Sequence, residues 1–136
     1  MPLPRPRLRA VLRGVLAVAM IAVGVVHFVK PEPFVRIVPA WLPAPLVLVW
    51  VSGVFEMLGG AGLLVPRTRR AAGLGLVALY LAVFPANLNQ AMNHITFDGM
   101  TPIPPAVLWL RLPLQAAIIA LALWVSREEE RSVPSP

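Results

Sequence analysis

Four long apolar runs dominate this sequence, and each is long enough to cross a lipid bilayer as a helix. They cover residues 11–29, 46–65, 71–88 and 106–125. A helix needs about 20 apolar residues to cross a hydrocarbon core of about 30 Å, and each run is close to that length. Of the sixteen prolines, only Pro85 and Pro113 fall within a run. The pattern predicts an all-α integral membrane protein, a bundle of four transmembrane helices.

The composition supports a lipid environment. Hydrophobic residues make up 58% of the 136 residues and charged residues 13%, whereas soluble domains carry about 25% charged residues. Small domains bury the smallest fraction of their surface, so a water-soluble fold of this length could not hide so much apolar surface. The sequence contains no cysteine, which excludes disulfides and thiol chemistry within the chain.

The basic residues lie mainly at the ends of the apolar runs. Nine of the twelve Lys and Arg residues flank one predicted side of the membrane, and Lys30 and Arg36 flank the other. This bias predicts that both termini are cytoplasmic. Because no basic stripe follows a helix face, the net charge of +6 indicates membrane orientation and not nucleic-acid binding. We expect a basic arm at 1–13, the membrane domain at 14–125 and a cytoplasmic tail at 126–136.

The segment after the first run is predicted to form a short interfacial helix. Within residues 33–42, Phe34, Val38 and Trp41 recur at helical spacing, and tryptophan is enriched at the headgroup level. An irregular proline-rich loop is the alternative. Since residues 27–30 offer no small-residue cleavage site, we expect the first run to be an uncleaved helix and not a signal peptide.

Small residues recur every four positions in the later runs. They are Ala71 with Gly75, then Ala78, Ala82 and Ala86, and also Ala116 with Ala120; Ser52 and Gly60 flank a glutamate in the second run. Such spacing lets helix backbones approach closely in lipid. We expect these residues at contacts within the bundle, and self-association through the same surfaces is the alternative.

Two charged residues lie inside the apolar runs. Glu56 is near the middle of the second run and Arg111 about five residues into the fourth. An isolated charge there costs at least about 2.5–3.5 kcal/mol, so such groups normally face the bundle interior and pair. The sequence predicts a Glu56–Arg111 pair, which either fixes the helix register or serves function. Both residues are the candidates for a catalytic role.

Other polar side chains occur near the same membrane depth. The candidate ligand-binding residues are His27, Glu56, Asn87, Gln90, His94, Arg111 and Gln115. We expect an outward-opening pocket for a small amphiphile, in which Asn87 and Gln115 orient the ligand. Its expected apolar lining is Trp50, Tyr80, Phe84 and Trp109. A metal site of two histidines and a carboxylate is not favoured, because these residues lie at different predicted depths.

Several segments carry a family resemblance. They are residues 27–34, 52–60, 84–87 and 110–115, in that order along the chain. Together they resemble the DoxX-like family of small four-helix proteins of the bacterial cytoplasmic membrane, over residues 14–125. The resemblance implies an accessory subunit of a redox or quinone-linked membrane system.

These observations lead to one favoured function and two alternatives. In the favoured function, the protein binds a small amphiphile in the pocket. No cofactor motif is evident in the sequence, and a quinone is the candidate ligand. Its expected partners are the lipid bilayer, a membrane or peripheral redox protein and a second copy of the chain. A stand-alone enzyme is the first alternative, with Glu56 as general base and Arg111 stabilising negative charge on a lipophilic substrate. A scaffold or assembly chaperone with a structural polar core is the second.

Overall fold

The computed structural model describes residues 5–96 and 101–127, and all regular structure within them is helical. The helices are α1 (Arg5–Val29), α2 (Glu32–Ile37), α3 (Pro45–Leu64), α4 (Arg69–Met92) and α5 (Pro105–Ser126). The four helices α1, α3, α4 and α5 are each long and apolar enough to cross a membrane. The protein is therefore a multi-pass helical membrane protein, as the apolar runs predict.

Prolines mark the starts of the helices. α3 and α5 begin at Pro45 and Pro105, where a missing N–H is harmless because first-turn N–H groups have no acceptor within the helix. Ala44, directly before α3, takes the left-handed conformation with φ of 47°. Inside α4 and α5, Pro85 and Pro113 are accommodated without ending the helix.

The basic arm predicted at residues 1–13 is largely part of α1, which begins at Arg5. The Arg13 side chain is buried, and its Nε donates to the Val125 carbonyl at 2.8 Å. The Arg9 guanidinium lies 5.1 Å from the centroid of the Trp124 ring. The first turns of α1 are therefore packed on the end of α5. Residues 1–4, 97–100 and 128–136 lie outside the described residues, including most of the predicted tail with Glu128, Glu129 and Glu130.

The predicted interfacial helix is present but shorter than expected. α2 spans six residues, and Val38 ends it in an extended conformation. Its Phe34 ring stacks on His27 of α1 with centroids 3.8 Å apart, and Asn89 of α4 donates to the Ile37 carbonyl at 2.9 Å. α2 thus lies across one end of the bundle and connects α1 with α4, while Trp41 beyond it is exposed.

The transmembrane helices form two pairs, α1 with α3 and α4 with α5. Glycines allow the first pair to pack closely along its length. A Cβ on Gly24 would lie 2.7 Å from the Gly53 carbonyl oxygen, and one on Gly60 would lie 2.7 Å from that of Ala17. No side chain fits at these distances, so α1 and α3 approach each other more closely than any larger residue would permit.

The two pairs are joined at the end that carries the α3–α4 turn. There Gly59 of α3 packs on Leu76 of α4 and Gly62 on Ala72, while within the second pair Gly73 packs on Ala122 and Ser126. The buried apolar cluster of the bundle also lies in this half. Its members are Leu16, Ala17, Met20, Leu63, Leu76, Ala122 and Val125. We call this half the clamped end; towards the opposite end the two pairs diverge around a cavity.

Most of the small residues predicted at helix contacts do not form them. Ala71, Gly75, Ala78 and Ala82 of α4 and Ala116 and Ala120 of α5 are exposed within the chain. A Cβ on Gly75 would meet nothing within 4 Å. For these residues the packing prediction is wrong, whereas it is confirmed for Gly60. Because alanine suits a lipid-facing surface as well as a helix contact, its spacing alone does not distinguish the two.

Candidate functional site

A cavity of about 750 Å³ lies between the two helix pairs, opposite the clamped end. All five helices contribute to its wall, which consists mostly of aliphatic and aromatic side chains. The polar side chains in the wall are His27, Ser52, Glu56, Tyr80, Asn87, Arg111 and Gln115. Five of the seven predicted ligand-binding residues thus line one cavity, although they come from four different helices.

The cavity opens sideways, towards the lipid. The exposed residues in its wall form two groups, with Val51, Phe55 and Ala78 between α3 and α4, and Val23 and Leu114 between α1 and α5. At the end of the bundle, side chains of α2 and the turn after it complete the wall. Because of the two openings between helices, we call the space the lateral cleft.

The Arg111 guanidinium is held by two amides of α4. One terminal nitrogen donates to Gln90 Oε1 and the other to Asn87 Oδ1 at 3.4 Å. Gln90 is only 1% exposed, so its amide is a fixed support. Arg111 itself is exposed and lines the cleft. The remaining N–H groups of its guanidinium are therefore available to a molecule in the cleft.

Asn87 and Gln115 complete a hydrogen-bond network behind Arg111. The Asn87 amide nitrogen donates to Gln115 Oε1 at 2.7 Å, and the Gln115 amide nitrogen donates to the Tyr80 carbonyl. The Asn87 oxygen already accepts from Arg111. These two amides therefore position Arg111, and their predicted contact with a ligand stays a prediction.

Glu56 lies on the other side of the cleft and is 8% exposed. Its Oε2 atom is 3.3 Å from His27 Nδ1, yet it has no hydrogen-bond partner. The reason is that Nδ1 is closer, at 2.7 Å, to the Val23 carbonyl, to which it donates. A carbonyl oxygen can only accept, so His27 Nδ1 must carry the proton and donate it to the Val23 carbonyl. The geometry leaves a buried carboxylate oxygen without a donor.

The predicted Glu56–Arg111 salt bridge is absent from the part of the chain that the structure describes. Both side chains line the same cavity. However, α3 and α5 lie diagonally across the bundle, and α4 is the neighbour that supplies hydrogen-bond acceptors to Arg111. The cation and the carboxylate therefore lie on different walls, each without the other as partner.

The model of a protein family described as "Domain of unknown function (DUF8561)" matches residues 16–126. The chain belongs to this family. The matched region includes every residue that lines the lateral cleft, so the cleft lies wholly within the DUF8561 domain. No curated protein matches the chain, and no solved structure matches it.

Two predicted site residues of this DUF8561 protein lie outside the cleft wall. Gln90 stands behind Arg111, as described above. His94 follows the end of α4 with φ of 49°, and Ile95 N–H donates to the Gln90 carbonyl at 3.1 Å, the pattern of a Schellman helix end. The exposed His94 therefore terminates the helix and does not line the cleft. In the described residues no three His, Asp or Glu side chains are grouped to hold a metal ion.

The aromatic lining also differs from the prediction. Trp50, Phe84 and Trp109 are 41%, 40% and 46% exposed and lie outside the cleft wall. Tyr80 does line the cleft, and its hydroxyl donates to Met20 Sδ at 2.7 Å. Phe34 of α2 lines it too and was missed as a site residue. Its place on the apolar face of the predicted interfacial helix was the signal that could have identified it.

Proposed function

We propose that this DUF8561 protein binds one amphiphile from the bilayer in the lateral cleft. One observation carries the proposal: a cleft of about 750 Å³ that opens towards lipid and presents one cation and one carboxylate on different walls. Ligand sites are typically cavities of about 300–1,000 Å³ with apolar walls and a few placed polar groups. The lateral cleft has the volume and the lining of such a site.

The arrangement determines how an amphiphile would enter and lie. Its tail would pass between α3 and α4, where Val51, Phe55 and Ala78 form an apolar opening. Its head would reach Arg111, which the amides of Gln90 and Asn87 hold in place before binding. A group positioned in advance loses little entropy when it binds, which favours affinity.

The resemblance to DoxX-like proteins supports a more specific role. On that basis we propose an accessory subunit of a redox or quinone-linked system in the bacterial cytoplasmic membrane, with a quinone as the bound amphiphile and a membrane or peripheral redox protein as partner. A quinone suits the cleft because its ring is apolar and its carbonyl oxygens can accept hydrogen bonds from Arg111.

Decylquinone is expected to raise the melting temperature of the purified protein in detergent. A ligand that binds only the folded state stabilises it by about 2.7 kcal/mol when its free concentration is roughly 100 times the Kd. Arg111→Ala should abolish the shift because it removes the donors to the ligand. His94→Asn is the matched control, since His94 is exposed, lies outside the cleft and has a conformation that asparagine tolerates. The absence of a shift with any quinone or lipid would favour a scaffold instead.

We also propose that both termini are cytoplasmic, which places the lateral cleft in the outer half of the membrane. The support is the bias of nine Lys and Arg residues against two. A reporter fused after Pro136 should then be active in the cytoplasm, and one inserted near Asp98, a position outside the described residues, should be active on the external side. An external C-terminus would contradict this orientation.

A further inference from the structure

We infer that the amphiphile has an uncharged head with a hydroxyl group that donates to Glu56 and a second oxygen that accepts from Arg111. The inference rests on the proposed function and adds the chemistry of the head. Glu56 lines the cleft, and its buried Oε2 atom has no hydrogen-bond partner. A buried acceptor without a partner costs free energy that a suitable donor would recover.

No described side chain can supply that donor. His27 is the nearest, but its Nδ1 proton is bound to the Val23 carbonyl. The Ser52 hydroxyl donates to the Leu48 carbonyl at 2.9 Å, and the Tyr80 hydroxyl donates to Met20 Sδ. These three donors are thus already in use, and a hydroxyl on a molecule in the cleft can donate to Glu56 instead.

The charges of the cleft select an uncharged head. Arg111 and Glu56 both line the cleft, and with Glu56 ionised they contribute one positive and one negative charge to its wall. A carboxylate head would place a second negative charge in the cleft with Glu56, and an ammonium head a second positive charge with Arg111; in a medium of low dielectric constant like charges repel strongly. A head with one donor and one acceptor satisfies both residues and adds no charge.

Quinols and monoacylglycerols are membrane molecules that carry such a head. The test is to measure the affinity of the purified full chain for matched pairs that differ in the hydroxyl donor. Decylhydroquinone is compared with decylquinone, and monodecanoylglycerol with methyl decanoate. The hydroxylated member should bind at least about tenfold more tightly, the usual effect of a hydrogen bond to a charged group. Whichever of the two hydroxylated ligands binds more tightly shows whether the cleft prefers a quinol or a monoacylglycerol.

Glu56→Gln provides the second arm of the experiment. The glutamine amide can donate as well as accept, so decylquinone and methyl decanoate, which lack the hydroxyl, should gain affinity. The ratio of affinities between the hydroxylated ligand and its partner should therefore fall to about threefold or less. His94→Asn, outside the cleft, should keep the full preference. Should Glu56→Gln fail to fold, the ligand pairs on the wild-type protein still decide the question.

The outcomes separate this inference from the proposed function. Equal affinities within both pairs, or a preference that is unchanged in Glu56→Gln, would overturn the hydroxyl inference while the cleft remained an amphiphile site. Decanoate, measured as an additional ligand, tests the charge of the head. Tighter binding of decanoate than of monodecanoylglycerol would overturn the inference of an uncharged head. If no member of either pair bound, the proposed function itself would be wrong.

Discussion

Gly24→Ala and Gly60→Ala are expected to destabilise the bundle strongly, although alanine is the better helix former. At both positions the new Cβ would lie 2.7 Å from a backbone carbonyl oxygen of the partner helix. A backbone atom cannot rotate away as a side chain can, so α1 and α3 would have to separate along their length. Overpacking of this kind costs about 1–3 kcal/mol at a single site, and the double variant should lose most of the folded population.

Gly14→Ala is the matched control because Gly14 lies on the same helix and a Cβ there would meet nothing within 4 Å. Alanine should raise the free energy of unfolding at that position by up to about 1 kcal/mol, through helix propensity alone. The measurement is thermal or denaturant unfolding in detergent, followed by tryptophan fluorescence. Similar stabilities of Gly14→Ala and Gly24→Ala would contradict the close α1–α3 contact.

Gln90→Leu is expected to weaken the protein about as much as Arg111→Leu, and the two changes together should cost less than their sum. Arg111→Leu leaves the buried Gln90 amide without its donor, and Gln90→Leu takes from Arg111 one of its two amide acceptors. A buried polar group without a partner costs about 1–3 kcal/mol, whereas the double variant removes both groups. The coupling free energy from the double-mutant cycle should fall within about 0.5–3 kcal/mol.

The same cycle applied to Glu56→Gln and Arg111→Leu should give additive effects within about 0.5 kcal/mol. These two residues share no contact in the described structure. A coupling free energy between Glu56 and Arg111 larger than that between Gln90 and Arg111 would contradict this prediction and would indicate a direct salt bridge. The comparison therefore decides which residue is the interaction partner of the Arg111 guanidinium.

The helices could be predicted from the sequence because lipid imposes their length. A backbone in hydrocarbon must satisfy its own hydrogen bonds, so an apolar run of sufficient length is helical. The predicted starts of the last three runs lie within two residues of the observed ones. The start of α1 was placed too late, since hydropathy ends at the arginines whereas the helix continues to Arg5 and packs Arg13 against α5.

The depth of the site residues could also be predicted, but their direction around each helix could not. Counting residues along the runs predicted one level for Glu56 and Gln115 with Arg111 in reach, and all three line one cavity. Which helices are neighbours depends on contacts such as Gly24 with Gly53, and one alanine or glycine spacing resembles another. His94 was misplaced for a different reason: the i+7 pattern assumes a continuous helix, and the chain leaves the helix at Met92.

The separation between the clamped end and the lateral cleft has an evolutionary consequence. Residues at the cleft opening, such as Phe55 and Ala78, are exposed and are not among the glycine contacts between the helices. Mutations there can alter which molecule enters while the glycine contacts keep the bundle folded. Selection for a new ligand and selection for a stable fold thus act on different parts of the chain, so that one can change without loss of the other.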